Sequence, residues 1–528
     1  MRSIFANPAS INEPPKDRVD LFFGIQISAG ASPATVPYLL TGGNTEQLSD
    51  IIASRYAANL VFEAGDTIKS VSIAVLSDTQ RELDESVVLD LWVPNGGILA
   101  ANPALLSIQS VGWILDADGG GVQPPPSLFI TSPFVREGVG GAEADYVFDL
   151  TLSRPFDQDI TFDYRFAGSA TPGRDFIASG GTLTIPRGSV ETSIPLTVLG
   201  DDLVEGLETV ELQVDWPFLA FAQTGGRLTI VDDDLAGPLV VVEGSRIAEP
   251  LKDRDDAVFV VRLTDVPVQS VTVPYRIVGG TATQGSDFQA FNTSPLVGEI
   301  VFAPGETQKV LTTAILSDSI DETDESIVLE IGEPTNASLP GGARRSETVT
   351  WIVENRPLSE IPVSLFVHSA DILEGDGGTR TASFEIELSR PAPTDLEFAF
   401  TTRDGTANAG EDYIAASGTI IILNGATTAS VGVEVIGDVL GVGGGGFAGE
   451  IGDETFSLVL TSSSSSVSGG TATGRIVDDD PPALIGTAAG DTLDGGADED
   501  VIVGLAGNDL LRGLASPDWL LGGEGSDT

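Results

Sequence analysis

Apolar residues recur at every second position through most of the chain. Tyr146, Phe148, Leu150 and Leu152 share one face of a run, as do Ile194, Leu196 and Val198, and again Val210, Leu212, Val214 and Trp216. A period of two marks strands with one buried face. No segment sustains the 3.6-residue period of a long helix, and no stretch of about 20 apolar residues could span a bilayer. Most runs stop at turn signals such as Ala303-Pro304-Gly305-Glu306, where Pro presets φ and Gly takes the position that a side chain would crowd. Two runs stop differently: Leu228-Thr229-Ile230-Val231 ends in Asp232-Asp233-Asp234, and Gly474-Arg475-Ile476-Val477 ends in Asp478-Asp479-Asp480. Two carboxylates about 4 Å apart repel by roughly 4 kcal/mol at an effective dielectric near 20, so each triplet asks for water, a cation or separation. A solvated acidic linker answers that demand, and so does a site for a hard cation such as Ca²⁺.

The triplets close repeats. The pattern G-x-A-x-x-G-x-D-aromatic occurs at Gly168 to Phe176, Gly280 to Phe288 and Gly405 to Tyr413. After each copy come a strand, a turn, a second strand, an acidic loop such as Gly200-Asp201-Asp202-Leu203-Val204-Glu205, and two closing strands. A Glu precedes the first long strand of each unit, as Glu137 does. About seven short strands in somewhat over 100 residues is the spacing of an immunoglobulin-like sandwich. A chain of 528 residues is far too long for one core, and the repeats divide it into units 9–118, 127–235, 237–356 and 361–481. The first two are separated by Gly119-Gly120-Gly121-Val122-Gln123-Pro124-Pro125-Pro126, whereas the links near Leu235, Arg356 and Pro481 are short. Such links predict a semi-rigid rod.

This order of motifs resembles the Calx-β domain, a Ca²⁺-binding module, over about 470 residues. The resemblance implies Ca²⁺ at one end of each sandwich, held by the early Glu, the Asp before the aromatic, the acidic loop and the terminal acidic run. In the second unit these positions are Glu137, Asp175, Asp201, Asp202, Glu205, Asp232, Asp233 and Asp234, all filled. The third unit offers Glu249, Asp287, Asp318 and Glu322, but closes on Val353-Glu354-Asn355-Arg356. The fourth offers Glu374, Asp412, Asp438, Asp478, Asp479 and Asp480, with Gly441 to Gly446 interrupting its acidic loop ahead of Asp453 and Glu454. The first is most divergent: Glu13, Asp78, Glu82, Asp116 and Asp118 can be placed, no Gly-x-Ala precedes Asp50, and a purely structural sandwich is an equal expectation there.

From Gly486 the period changes to nine. Asp491, Asp500, Asp509, Asp518 and Asp527 recur in strict register, with Leu493, Ile502, Leu511 and Leu520 two residues later. The pattern resembles the RTX or haemolysin-type repeat, which implies a short parallel β-roll over 483–528 with Ca²⁺ between turns. Gly lets the turns close, Asp supplies oxygen, and the apolar residue fills a thin core. The chain stops mid-block at Thr528, so one expectation is a fragment whose relatives continue into further repeats and a type I secretion signal.

Composition narrows the function classes. With Lys+Arg 26 against Asp+Glu 78 the net charge is −52, which disfavours nucleic acid and anionic membrane as partners and favours dissolved cations. Cys is 0, so there is neither a disulfide framework nor a thiolate metal site. The single histidine, His368, rules out an H-E-x-x-H zinc helix and lies in what reads as a first strand, and no G-x-S-x-G elbow is present. The expectation is a non-enzymatic, all-β protein: four tandem sandwiches and a β-roll, secreted or on the cell surface, rigidified by Ca²⁺ for adhesion, matrix building or spacing toward cell-surface or matrix ligands. The alternative is the stalk of a larger RTX toxin or enzyme whose active domain lies beyond Thr528.

Overall fold

The computed structural model describes residues 2–12, 18–30, 32–42, 55–76, 84–115, 125–218, 225–250, 254–290, 296–317, 322–354, 363–375, 377–437, 453–462, 470–478, 484–496, 501–515 and 519–528. Apart from one 3₁₀ turn at Pro340–Gly342, the regular elements among them are strands.

The second unit shows how the pattern becomes a sandwich. One sheet runs Leu128–Ile130, Glu143–Leu152, Glu191–Leu199, Phe176–Ile177; the other runs Phe134–Arg136, Gly225–Val231, Glu208–Val214, Ile160–Ala167, Gly181–Ile185. The alternating residues named above meet between the sheets: Phe148, Leu150, Val198, Val210 and Leu212 are fully buried in one cluster. Burying side chains of this size contributes about 1.5–3 kcal/mol each, which holds the two layers together. The chain enters the first sheet at Leu128–Ile130, turns at Pro133 and joins the second as Phe134–Arg136. That second piece pairs parallel with the last strand, Arg136 opposite Val231. Parallel partners end at the same edge, so Glu137 and Asp232 emerge side by side.

The third and fourth units repeat this crossover, with Ala248 opposite Val353 and Leu373 opposite Val477. The first unit is also a complete sandwich with its own core, and its first strand is Arg2–Ala6, paired with Arg18–Ile27, so it begins ahead of residue 9. The tail coils with a repeat of two nonapeptides: Leu484–Ile485, Val501–Val503 and Trp519–Leu521 stack in parallel on one side, and Thr492–Asp494 and Leu510–Arg512 on the other.

The units are not strung in single file. Asp84 of the first takes hydrogen bonds from Ser153 and Arg154 of the second, and Asp324 of the third takes the equivalent bonds from Ser389 at 2.6 Å and Arg390 at 2.7 Å. Ser127 and Ser364 complete the two clasps by donating to the carbonyls of Asp84 and Asp324. At the second-to-third junction the same position is Leu207, which packs with Trp92, Val231 and Leu239. Alternate units touch as well. The Trp92 indole donates to the Leu263 carbonyl at 2.9 Å, and Arg262, fully buried, lies 4.6 Å over the Trp92 ring with Asp90 at 2.8 Å and Glu243 at 2.9 Å. Arg227 of the second unit grips Glu385 of the fourth. Neighbouring sandwiches therefore brace one another, and the first also reaches the third and the second the fourth. Link length bounds how far apart neighbours can sit; these polar clasps decide how they turn.

The clasps are a point of fragility. Asp324→Ala would strand Arg390 without its carboxylate in a buried setting, an error that costs about 3–5 kcal/mol. Guanidinium denaturation of the full chain is expected to show an earlier transition in this variant, as the third and fourth units uncouple; an unchanged curve would show the clasp to be neutral.

Candidate metal centres

The parallel crossover delivers the early Glu and the last strand's end to one place, and the G-x-A-x-x-G-x-D loop delivers the Asp. Gly173, Gly285 and Gly410 all sit at φ between 84° and 95°, where an L side chain is strained, so the loop keeps Gly there. The loop then closes on its own Asp: one oxygen of Asp175, Asp287 and Asp412 accepts the backbone N–H of Thr171, Thr283 and Asn408 at 2.5–2.6 Å. Asp175 and Asp287 also meet Glu208 and Glu325 through side-chain hydrogen bonds.

In the second unit two groups of acids form there. Glu137, Asp201 and Glu205 bring ligand atoms within 4.8 Å of one another, and so do Asp175, Glu205 and Glu208, with Glu205 shared. Asp232 receives the Glu205 N–H at 2.5 Å, Asp233 receives Gly138 N–H at 2.8 Å, and Asp234 keeps a buried Oδ2 with no hydrogen-bond partner among the described residues. Asp202 lies beside the Gly140 turn, within the charge field of Asp234. Burial and mutual repulsion push the glutamates upward. Glu137 is raised to about 9, first by burial and then by Glu205, Asp201 and Asp232. Glu208 is raised to about 10 by burial, then Asp175 and Glu205. Glu205 is raised only to about 7, because Arg174 offsets part of the burial. Groups raised from the ordinary glutamate value of 4.5 stabilise the metal-free fold below that pH and lose that contribution as pH rises through 7 to 10.

The third unit assembles Asp287, Glu322 and Glu325 within the same 4.8 Å, equivalent to Asp175, Glu205 and Glu208. Glu249 and Glu354 line the same cleft, whose volume of about 10 Å³ holds one water-sized sphere. Burial, then Asp287 and Glu322, raises Glu325 to about 8. In the fourth unit the Glu374 N–H donates to the Val477 carbonyl, and among the described residues no group of three acids assembles there; Asp412 is buried in its loop and Asp478 stands at the strand end. Asp318, Asp438, Asp479, Asp480, Asp500 and Asp518 lie outside the described residues, as do Glu13, Asp50, Asp78, Glu82, Asp116 and Asp118. In the tail Asp491, Asp509 and Asp527 stack one coil apart: the Asp491 N–H donates to Asp509 at 2.7 Å and the Asp509 N–H to Asp527 at 3.0 Å. Asp509 is buried and its Oδ2 has no hydrogen-bond partner among the described residues. His368 is buried with Nε2 3.6 Å from Glu387, away from these acids.

Clustered carboxylates with raised pKa, spare oxygens and an ion-sized cleft fit a hard divalent cation. The Calx-beta domain model matches residues 30–112, 130–234, 249–355 and 359–480. The chain belongs to the Calx-beta domain family. Its tail matches the RTX calcium-binding nonapeptide repeat over 484–511 and 503–528, so the protein is a calcium-binding, modular one. The Calx-beta region resembles extracellular matrix protein 3 of Lytechinus variegatus at 24% identity over 402 residues, covering 72% of this chain and 12% of that protein. It resembles the extracellular matrix organizing protein FRAS1 of Mus musculus at 24% over 381 residues, 67% and 9%, and the sodium/calcium exchanger Calx of Drosophila melanogaster at 30% over 172 residues, 32% and 17%. The chain thus spans about a tenth of the length of the matrix relatives.

Two features of the Calx-beta units escaped the motif reading. Glu208 and Glu325 open the strand after the acidic loop; the recurrence of Glu85, Glu208, Glu325 and Glu454 at that register is the signal that points to them. Arg174 is the other. Its guanidinium contacts Glu205 and lies 3.7 Å from Asp175, so the second unit carries its own cation in the Asp175, Glu205, Glu208 group. The third unit has Ser286 at that position. Arg174→Ser is therefore expected to add one Ca²⁺ to the stoichiometry measured by calorimetry, or to tighten binding about tenfold, ~1.4 kcal/mol; an unchanged isotherm would show that Arg174 does not compete.

Proposed function

We propose that the protein is an extracellular or cell-surface element in which Ca²⁺ locks a braced stack of Calx-beta sandwiches and a β-roll, presenting a stiff surface for adhesion, matrix organisation or spacing. One observation carries this reading: in the second and third units, buried carboxylates that repel one another are held together by backbone pairing, and a divalent cation relieves the repulsion. Glu137, Asp201, Glu205 and Asp232 are assigned as one set of ligands, with Asp287, Glu322 and Glu325 as another; Asp491, Asp509 and Asp527 serve between coils. The matrix names carried by the relatives support an extracellular setting, and the nonapeptide tail fits export by a type I route. Among the described residues no helix is long and apolar enough to cross a membrane. The role assigned is non-catalytic, in keeping with a single histidine packed against Phe366 and Glu387.

The test is thermal melting of the full chain, metal-free or with Ca²⁺, Mg²⁺ or matched NaCl, at pH 5 and pH 8. Metal-free protein is expected to be less stable at pH 8, because the raised glutamates have lost their protons. Ca²⁺ at about 100 times its dissociation constant should restore roughly 2.7 kcal/mol per selective site. A rise reproduced by Mg²⁺ or NaCl, or one equally large at both pH values, would replace specific sites with diffuse screening of the −52 charge.

A further inference from the structure

The chain's one histidine sits where three sandwiches meet. His368 follows the fourth unit's first strand, Leu365–Val367, is only 8% exposed, and packs edge-on against Phe366 with ring centroids 4.8 Å apart. Its backbone N–H donates to the Glu385 carbonyl at 2.8 Å, which ties it to the neighbouring strand Gly378–Leu388. Its Nε2 lies 3.6 Å from Glu387 and has no hydrogen-bond partner among the described residues.

Glu385 and Glu387 anchor this junction. Glu385 takes the Arg227 guanidinium of the second unit on both oxygens, with Nη2 at 2.7 Å. Glu387 takes the Trp351 indole N–H of the third unit at 3.0 Å and lies 3.4 Å from Arg246, which also donates to the Leu388 carbonyl at 2.8 Å. Beside them stand Glu347 of the third unit, which accepts the Ser369 N–H at 2.7 Å, and Glu211 of the second, buried opposite Arg227 in the sheet. The other acids at this edge carry cations of their own: Asp324 has Arg390, and Glu330 has Arg276. Four carboxylates therefore share two guanidiniums, which leaves the interface short of two positive charges.

Protons can make up that shortfall. Burial acts to lower the His368 pKa, but Glu387, Glu385 and Glu347 outweigh it and raise the group above its ordinary 6.5. Burial, opposed by Arg227 and reinforced by Glu385, raises Glu211 to about 7. Both groups hold protons more tightly in the assembled junction than outside it. Each therefore stabilises the junction fully below its ordinary pKa and loses that contribution as pH rises through the raised one.

We propose that His368 is a proton latch: charged, it supplies a missing cation that holds the fourth unit on the second and third, and neutral, it leaves Glu347, Glu385 and Glu387 to push the units apart. No residue of this junction belongs to the calcium clusters, so the latch adds a response to pH that Ca²⁺ does not supply.

The test uses the full chain in excess Ca²⁺, with histidine ¹³C-labelled at Cε1. One histidine gives one imidazole signal, whose pH titration by NMR reads the latch directly. The midpoint is expected above 6.5 and should move down in Glu387→Gln and in Glu347→Gln, each of which removes charge while keeping a hydrogen-bonding oxygen. In guanidinium denaturation the first transition should come earlier at pH 8.5 than at pH 5.5, and His368→Gln should shrink that difference. A midpoint at or below 6.5, a midpoint unmoved by either glutamate variant, or a pH dependence undiminished in His368→Gln would overturn the proposal. The titration decides even where His368→Gln folds poorly, since it needs only the native histidine.

Discussion

Repulsion between carboxylates that the backbone will not let separate is the constraint on which the structure turns. Glu137 is carried to the sandwich end by a parallel strand whose register with Val231 is fixed by the hydrophobic core, and Asp232 follows from the other strand of that pair. The Asp175 loop is closed by a hydrogen bond to its own backbone and a Gly at positive φ. Their backbones cannot drift apart without breaking sheet pairing or the loop's own hydrogen bond. At an effective dielectric near 20 each close pair costs several kcal/mol, more than a hydrogen bond returns. The chain has three ways to meet that cost: a proton, which Glu137 holds up to about pH 9; an internal arginine, as at Arg174; and a divalent ion. Only the last reports the concentration of something outside the protein.

The second and third units divide these means differently although their backbones repeat. In the second unit Arg174 sits on Glu205, which both acid groups share, and on the Asp175 side of it. The third has Ser286 in place of that arginine beside Asp287, Glu322 and Glu325. Glu325 also follows Asp324 directly in the chain, and Asp324 is the residue that clasps the fourth unit; Arg390 donates both to Asp324 and to the carbonyl of Glu354, which lines the third unit's cleft. The third unit's acid cluster and the inter-unit clasp therefore share adjacent backbone.

Strands, cores and the ends of strands were legible in the chain because each is a local signal. A period of two buries Phe148, Leu150, Ile194 and Val198 on one side whatever their partners, and a glycine-bounded loop ending in Asp and an aromatic closes in the same way three times. The nine-residue register of the tail was equally open, although the coil proves to be eighteen residues, since Asp491 meets Asp509 and Asp509 meets Asp527. What stayed hidden depends on residues far apart with no period between them. Asp324 and Arg390, or Trp92 and the Leu263 carbonyl, meet only because whole sandwiches dock, and neither partner's sequence neighbourhood points to the other. Arg174 sits inside the motif and was passed over because charge sign at a variable position carries no pattern.

The most direct measurement is an anomalous difference map from crystals of the full chain grown in Ca²⁺. The account predicts an ion about 2.3–2.6 Å from oxygens of Glu137, Asp201 and Glu205, and another among Asp287, Glu322 and Glu325. No ion is expected between Asp175 and Glu208, where Arg174 already sits. Carboxylates that remain clustered with no ion among them, paired through shared protons at millimolar Ca²⁺, would contradict it.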